Sequence, residues 1–133
     1  MFRLLALCLL LAAPGTLSAQ EETAAPAGPI YYTMTPDIIT NYQNSGQNLG
    51  YVRVAVELML ERPEQLTVVE ENMPLLRDAL NDLLAEKSRQ EIRSLPARAG
   101  LADEGRERLN ELLLQETGQT PVRRLLFTTF LYQ

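Results

Sequence analysis

The sequence lacks histidine and tryptophan altogether, and its single cysteine, Cys8, lies within the first 20 residues. Histidine is the commonest general base near neutral pH and the usual ligand of protein-bound metals. Its absence excludes catalysis by Ser-His-Asp or Cys-His groups. Together with the lack of a cysteine after Cys8, it also excludes an ordinary zinc centre. We therefore expect neither a cofactor nor enzymatic activity.

Positive charge is also scarce. The 133-residue chain has 12 basic and 17 acidic side chains, which give a formal net charge of −5. Binding to a phosphate backbone favours a domain with net positive charge and clustered Lys and Arg. The basic residues of 89–98 and 106–124 are interleaved with carboxylates, which is typical of solvated helix faces. We expect no nucleic-acid partner and no small-molecule substrate.

A long hydrophobic run is missing as well. Arg3 precedes an apolar run over residues 4–13, whereas a helix needs about 20 residues to cross a membrane. Pro14-Gly15 and then the small residues Ser18 and Ala19 follow, in the order of a secretory signal peptide. We expect residues 1–19 to be removed after Ala19, and a retained membrane anchor is the alternative.

Residues 20–29 consist mainly of Ala, Glu, Thr, Pro and Gly, a composition that predicts a flexible linker. The folded part then covers residues 30–133, a normal size for one domain. Residues 30–34 are aromatic and β-branched and predict a short strand, which Pro36 ends or places at a sheet edge. Residues 44–48 form a dense cluster of turn formers.

The clearest pattern is an alternation over residues 50–61. Apolar residues occupy every second position, namely Val52, Val54, Val56, Leu58 and Leu60. This period of two predicts a strand with one buried face, on which Val56 lies midway.

After Pro63 the apolar residues recur at steps of three and four, which predicts a helix. Pro74 interrupts it, so we expect a bent or broken helix between residues 63 and 94. Thr67 and Glu70 fit a capping box at its start, and Asn72 could cap a second segment.

A further helix is predicted over residues 103–117, separated from the first by Pro96 and Gly100 and ended by Gly118. Residues 122–132 close the chain and become apolar on both alternations after Arg124. Such a strand is typically covered on both faces or central in its sheet.

The predicted order is strand, strand, helices, strand. It indicates an α+β fold in which two to three helices pack on one face of a small antiparallel or mixed sheet. The last strand must pair with an earlier one, so both ends of the domain are expected in one sheet.

Several short motifs resemble one family. Tyr32-Thr33-Met34-Thr35-Pro36, followed by Asn41, resembles the opening Tyr-x-x-Leu-x-Pro and Asn of the periplasmic domain of the flagellar basal-body protein FliL. Tyr51-Val52-Arg53-Val54 is similar to the family's Tyr-Leu-x-Val.

The resemblance continues through the helices to the last strand. Pro74, Arg77 and Asp78 match the family's Pro-x-x-Arg-Asp, and Lys87 with Ser88 stands where the family has Lys-Thr. The remaining matches are to its Gly-Lys-x-x-Leu and terminal Phe-Thr-Glu-Phe, and they comprise Gly105, Leu109, Phe127, Thr128 and Phe130. The motifs occur in order across nearly all of residues 32–133.

The resemblance implies a domain of the stomatin and prohibitin type that associates laterally into arcs or rings around the flagellar stator. It implies a scaffold for motility and chemotaxis, in the periplasm at the outer face of the inner membrane near the basal body. Its partners would be the stator proteins MotA/MotB or a membrane-bound FliL relative, in a homo- or hetero-oligomer.

The family usually has a full transmembrane helix, where this chain has the features of a signal peptide. The alternative is therefore a soluble periplasmic binding or accessory module of the same fold without a motor role. A head-to-tail contact in a ring could use charged helix faces, although a solvated surface is the simpler account. The residues considered for it are Glu86, Arg89, Arg93, Arg106 and Arg108.

The signal peptide gives a first prediction. We expect the mature N-terminus at or within a few residues of Gln20, because the apolar run is too short to remain across a bilayer. Intact mass or N-terminal sequencing of the protein from the cell envelope measures this. Recovery of the full-length chain from carbonate-washed membranes would contradict it.

Overall fold

The computed structural model describes residues 28–43 and 49–133. The predicted signal peptide, residues 20–27 of the predicted linker and the turn cluster at 44–48 lie outside the described residues.

Three strands form an antiparallel sheet of order β1-β2-β3. They are β1 (Ile30–Tyr42), β2 (Gly50–Leu60) and β3 (Val122–Tyr132). The first and last strands of the domain both pair with β2, which confirms that its two ends meet in one sheet. The α+β fold and its strand-strand-helices-strand order are confirmed.

The helices of the described residues all lie between β2 and β3 in the chain. A 3₁₀ turn (Pro63–Gln65) leads into α1 (Leu66–Glu71), α2 (Met73–Glu86), α3 (Arg89–Arg93) and α4 (Leu95–Thr117). The predicted break near Pro74 is confirmed. Pro74 lies in the first turn of α2, where its missing N–H removes no intrahelical bond.

The predicted start of the first helix is wrong. Thr67 lies inside α1 and does not cap it, because the 3₁₀ turn already begins the helical segment at Pro63. The side-chain oxygen of Gln65 accepts a hydrogen bond from the backbone N–H of Arg62 at 3.0 Å. Asn72 occupies the N-cap position of α2, but its side chain donates instead to the carbonyl of Val68 at 2.8 Å.

The last helix is longer than predicted. Pro96 and Gly100 were expected to precede it, yet α4 already begins at Leu95. Pro96 falls in its first turn, where proline is tolerated, and the Ser94 hydroxyl accepts from the Ala97 N–H at 3.3 Å. Gly118, with φ 76°, ends the helix in the left-handed conformation, as predicted.

The edge strands also differ from expectation. Pro36 does not end β1 but lies in an irregularity of its pairing between Met34 and Ile38. A proline is tolerated there because β1 is an edge strand. The alternative prediction, that Pro36 places the strand at a sheet edge, is therefore confirmed. The prediction that the last strand is central or covered on both faces is wrong, because β2 is central and β3 forms the other edge.

The core lies between one face of the sheet and the helices. The predicted alternation of β2 is confirmed, since its even-numbered residues from Val52 to Leu60 are at most 1% exposed. Leucines of α2 and α4, including Leu80, Leu83 and Leu109, pack against them in one cluster. The odd-numbered face of β2 carries no packed helix among the described residues and is called the open face below.

The chain enters and leaves the sheet at opposite ends. Ile30 lies in one cross-strand row with Leu60 and Val122, whereas Tyr132 pairs with Val52. The two rows are eight residue steps apart along β2, which is about 27 Å at 3.4 Å per step. Among the described helices, none is both long and apolar enough to cross a membrane.

The buried face of β2 gives a second prediction. Val56→Asp would place a carboxylate without a partner at a site that is 1% exposed, so we expect severe destabilisation or loss of folding. Glu57→Ala, on the open face, should change the free energy of unfolding by about 0.5 kcal/mol or less. Urea unfolding of both variants measures this, and a larger loss for Glu57→Ala would contradict the assignment of faces.

Candidate interaction surfaces

Arg77 joins α2 to the irregular segment of β1. Its Nη1 donates to the carbonyl of Pro36 at 2.6 Å, and its Nη2 donates to the carbonyl of Asp37 at 3.4 Å. The pairing of β1 with β2 skips these two residues. The guanidinium therefore supplies donors to backbone oxygens that the sheet leaves without a partner.

Asp37 extends this contact across the sheet. Its Oδ2 accepts a hydrogen bond from Nε of Arg53 at 2.8 Å, on the open face of β2. Arg77 and Arg53 thus hold the segment from its two sides. Of the neighbouring motif positions, Tyr32 packs half-buried against the core, whereas Asn41 and Asp78 are exposed.

Lys87 holds the junction between α2 and α3. Its Nζ lies 2.8 Å from Oε2 of Glu104 on α4, and its carbonyl accepts from the Gln43 N–H at 2.9 Å. The Gln43 carbonyl in turn accepts from the Arg89 N–H at 2.9 Å. Ser88 caps α3, since its hydroxyl accepts from the Glu91 N–H at 3.2 Å.

Gly105 lets three elements approach closely. It is buried in α4, and a Cβ at this position would lie 3.1 Å from Leu125 of β3 and 3.4 Å from Leu80 of α2. Leu109, one turn further along α4, is fully buried. These two motif positions are explained by packing.

Aromatic side chains secure the end of β3. The rings of Phe127 and Phe130 meet edge to face with centroids 5.4 Å apart. The Arg98 guanidinium lies 4.0 Å from the Phe130 ring centroid, and that of Arg93 lies 5.2 Å from the Tyr132 ring. Thr128 is the extra residue at an irregularity in β3, and its hydroxyl donates to the Ala55 carbonyl at 3.4 Å.

Two of the five charged positions considered for a partner surface contact each other. Arg108 donates to both carboxylate oxygens of Glu86, at 3.1 and 3.0 Å. Hydrogen bonding to Arg108 lowers the pKa of the Glu86 carboxyl, and the same bond raises the pKa of Arg108. The pair spans a shallow groove of about 350 Å³ between α2 and α4.

The other three positions are dispersed. Arg93 stacks on Tyr132, Arg89 is exposed beside the end of β1, and Arg106 lies 3.7 Å from Glu107. The structure gives no contact among these three within the residues it describes. A role of the five residues in partner binding stays a prediction.

The open face is the surface that sequence reasoning missed. Its exposed apolar side chains include Ile39, Tyr51 and Leu131, which are 62%, 45% and 57% exposed. Ile39 and Leu131 flank Arg53 in one cross-strand row. The alternation of β2 indicates a solvent face, but only the register of the three strands shows that these apolar residues lie on the same face around Arg53.

The described residues thus form a small α+β domain with an open, partly apolar sheet face and charged helix faces. Such surfaces are typical of binding and scaffolding domains. The family model of the flagellar basal body-associated protein FliL matches residues 31–133, and the chain belongs to this family. The family is flagellar and non-enzymatic, and its members are associated with the basal body.

A relative supports the assignment. A protein named flagellar protein FliL from Aquifex aeolicus (strain VF5) is 31% identical over 112 residues. The aligned part covers 84% of this chain and 66% of that relative, so the chain spans somewhat less than two thirds of its length.

The contacts of Arg77 give a third prediction. Arg77→Ala removes both donors to the irregular segment of β1, and we expect it to lower the free energy of unfolding by about 1–3 kcal/mol. Asp78→Ala, the exposed neighbour on the same helix, should change it by about 0.5 kcal/mol or less. Urea denaturation at neutral pH compares the two. Equal effects would show that the Arg77 contacts do not stabilise the fold.

Proposed function

We propose that this protein is a non-catalytic component of the flagellar motor that self-associates and supports the stator during motility and chemotaxis. The observation that carries the proposal is the family match over residues 31–133. That range includes β2, β3 and all the described helices, together with β1 from Tyr31 onward. The relation to the family therefore concerns the whole described domain.

The surface chemistry supports a role in protein contacts. Glu86 and Arg108 neutralise each other within the domain, which leaves them less available to a partner. The open face instead presents apolar side chains to solvent. Exposed apolar side chains grouped on one face of a domain are a feature of protein interaction sites.

We place the protein in the periplasm, at the outer face of the inner membrane near the basal body. The predicted export signal supports this location. Docking onto MotA/MotB or onto a membrane-bound FliL relative would then keep the protein at the motor, because tethering raises the effective concentration of weakly bound partners.

One observation favours a second function. The apolar run at residues 4–13 is shorter than a transmembrane helix, which fits a soluble periplasmic accessory module without a motor role. The two functions differ in whether loss of the protein affects the rotation of assembled flagella.

Deletion of the gene gives the fourth prediction. We expect reduced swimming in viscous medium and reduced swarming, with flagellar filaments still assembled, because the proposed role concerns the stator and not filament growth. Wild-type protein expressed in trans should restore motility, and a fluorescent fusion should be recruited to motors.

The matched control is Val56→Asp expressed in trans, which should not restore motility because its fold is compromised. Unchanged swimming and swarming in a clean deletion, with no recruitment of the fusion, would favour the accessory module.

A further inference from the structure

The outer side of β3 is an edge of the sheet. β3 pairs with β2 on one side, and no strand lies on its other side within residues 28–43 and 49–133. Such an edge presents backbone N–H and C=O groups with which a further strand can pair. Proteins that recognise extended peptides use edges of this kind, because main-chain hydrogen bonds then supply affinity.

The ladder between β2 and β3 determines which residues of β3 face outward. In an antiparallel pair, hydrogen-bonded and non-bonded residue pairs alternate. Tyr51 and Gln133 exchange two hydrogen bonds of 3.4 and 2.9 Å, and the Glu61 N–H donates to the Pro121 carbonyl at 3.3 Å. The odd-numbered residues of β2 therefore bond to β3.

Two residues of β3 direct their backbone groups to the open side. Arg124 and Leu126 pair with odd-numbered residues of β2 and so bond to it. Leu125 and Phe127 alternate with them, and their N–H and C=O groups point away from β2. Together they offer two donors and two acceptors to an added strand.

Asn110 of α4 already takes the place of a neighbouring strand at the start of β3. Its Nδ2 donates to the Val122 carbonyl at 2.7 Å, and its Oδ1 accepts from the Val122 N–H at 2.9 Å. Irregularities at Arg123 and Thr128 then bound residues 124–127. The open part of the edge is therefore short, and an extended segment of about five residues is long enough to cover it.

A groove of about 380 Å³ lies between this part of β3 and α4. Its volume is in the range of cavities that bind ligands. Small side chains on the helix wall, Ala99 and Ala102, leave room for the side chains of an added strand. We call it the edge groove, and it is lined by Arg98, Ala99, Ala102 and Asp103 of α4 and by residues 124–127 of β3.

Arg98 has a buried donor that nothing in the described domain satisfies. Its Nε is buried and has no hydrogen-bond acceptor among the described residues. The guanidinium lies 4.0 Å from the centroid of the Phe130 ring, which holds it at the groove by a cation–π contact. Buried donors without an acceptor are uncommon in folded proteins. A carboxylate in the edge groove would supply both the acceptor and the opposite charge.

The charge of the edge groove also favours an acidic occupant. Arg98 and Arg124 line it, and neither forms an ion pair with any residue that the structure describes. Asp103 is the one acidic side chain in the lining and is exposed at the rim. Two positive charges against one negative give a local excess of positive charge, although the whole chain has a net charge of −5. Complementary charge of this kind selects among partners.

A second copy of this chain fits the edge groove poorly. The outer edge of β1 is interrupted by Pro36, which has no N–H, and the adjacent Asp37 is already paired with Arg53. The edge of β3 carries Arg123 and Arg124 and would oppose like charges. The described strands therefore offer no acidic edge to this groove, and a segment of a different protein is the better match.

We propose that an extended segment of another protein, carrying an acidic side chain, adds as a strand to β3 in the edge groove, with its carboxylate on Arg98. The segment pairs with the backbone of Leu125 and Phe127. This site goes beyond the proposed function, and it can exist whether or not motility depends on the protein.

Solution NMR of the natively expressed protein with an acetylated and amidated peptide, Thr-Val-Glu-Val-Thr, tests the site. Millimolar peptide should shift the amide signals of Leu125 and Phe127. Hydrogen exchange of these two amides should slow at least about tenfold at saturation, because both become hydrogen-bonded in the added strand. The amides of β1 should be unaffected.

The carboxylate contact is tested by a double substitution. Replacing Glu of the peptide by Gln should weaken binding at least about tenfold, and so should Arg98→Gln in the protein, because each removes a charge-assisted hydrogen bond. The Gln peptide should bind the wild type and Arg98→Gln equally, since the contact is absent from both complexes. Arg89→Gln makes the same change at an exposed position of α3 and should leave binding unchanged.

The groove itself is tested by filling it. Ala99→Leu places a larger side chain on the helix wall and should weaken binding at least about tenfold. Ala97→Leu is the matched control, because Ala97 is also exposed on α4 but does not line the edge groove. Thermal melts followed by circular dichroism confirm that every variant is folded.

Four results would overturn the site. They are a lack of binding at millimolar peptide, protection of β1 amides in place of Leu125 and Phe127, equal weakening by Ala97→Leu and Ala99→Leu, and faster exchange of Leu125 and Phe127 on dilution of the free protein. The last result would show that a second copy covers this edge.

The deletion phenotype separates this site from the proposed function. Reduced motility without peptide binding refutes the edge groove alone. Peptide binding with unchanged motility refutes the motor role alone.

Discussion

The whole domain depends on β2 being shared by two strands that are distant in sequence. β1 precedes it and β3 follows only after four helices, yet both pair with it along most of their length. The even-numbered residues of β2 can be buried only if the intervening helices return over one face of the sheet. The hydrophobic core and the open face are therefore two consequences of one alternating strand.

The motif positions that resemble the FliL family explain how those helices are held. Arg77 reaches the irregular segment of β1, and Lys87 joins the end of the same strand to α4. Gly105 removes the side chain that would keep α4 away from β3. These residues stabilise the arrangement of helices and strands. Their presence in a sequence is therefore evidence for the fold more than for a contact with a motor protein.

The parts of the fold that were predictable from sequence are those with a strong local period. β2 was predicted to within a residue because burial of one face imposes alternation on Val52 to Leu60. The break at Pro74 and the stop at Gly118 follow from the backbone restrictions of proline and glycine. The start of α4 was missed because Pro96 is a helix breaker in the interior but a favourable residue in the first turn.

Tertiary pairing could not be deduced in the same way. The apolar residues of β3 suggested a central strand, but Leu126 and Leu131 lie on the open face of an edge strand. Likewise, Glu86 and Arg108 are 22 residues apart, and only the packing of α2 against α4 brings them together. Local periodicity says which face a residue occupies, whereas the neighbours on that face depend on register.

The first and last residues of the sheet, Ile30 and Tyr132, lie at opposite ends of its strands, which determines how the domain resists a pulling force. β1 and β3 run the same way on either side of β2, so forces applied at Ile30 and at Tyr132 act at opposite ends of the sheet. The ladder hydrogen bonds lie across the strands. Tension along the strands therefore loads those bonds together in shear and does not peel them apart one at a time.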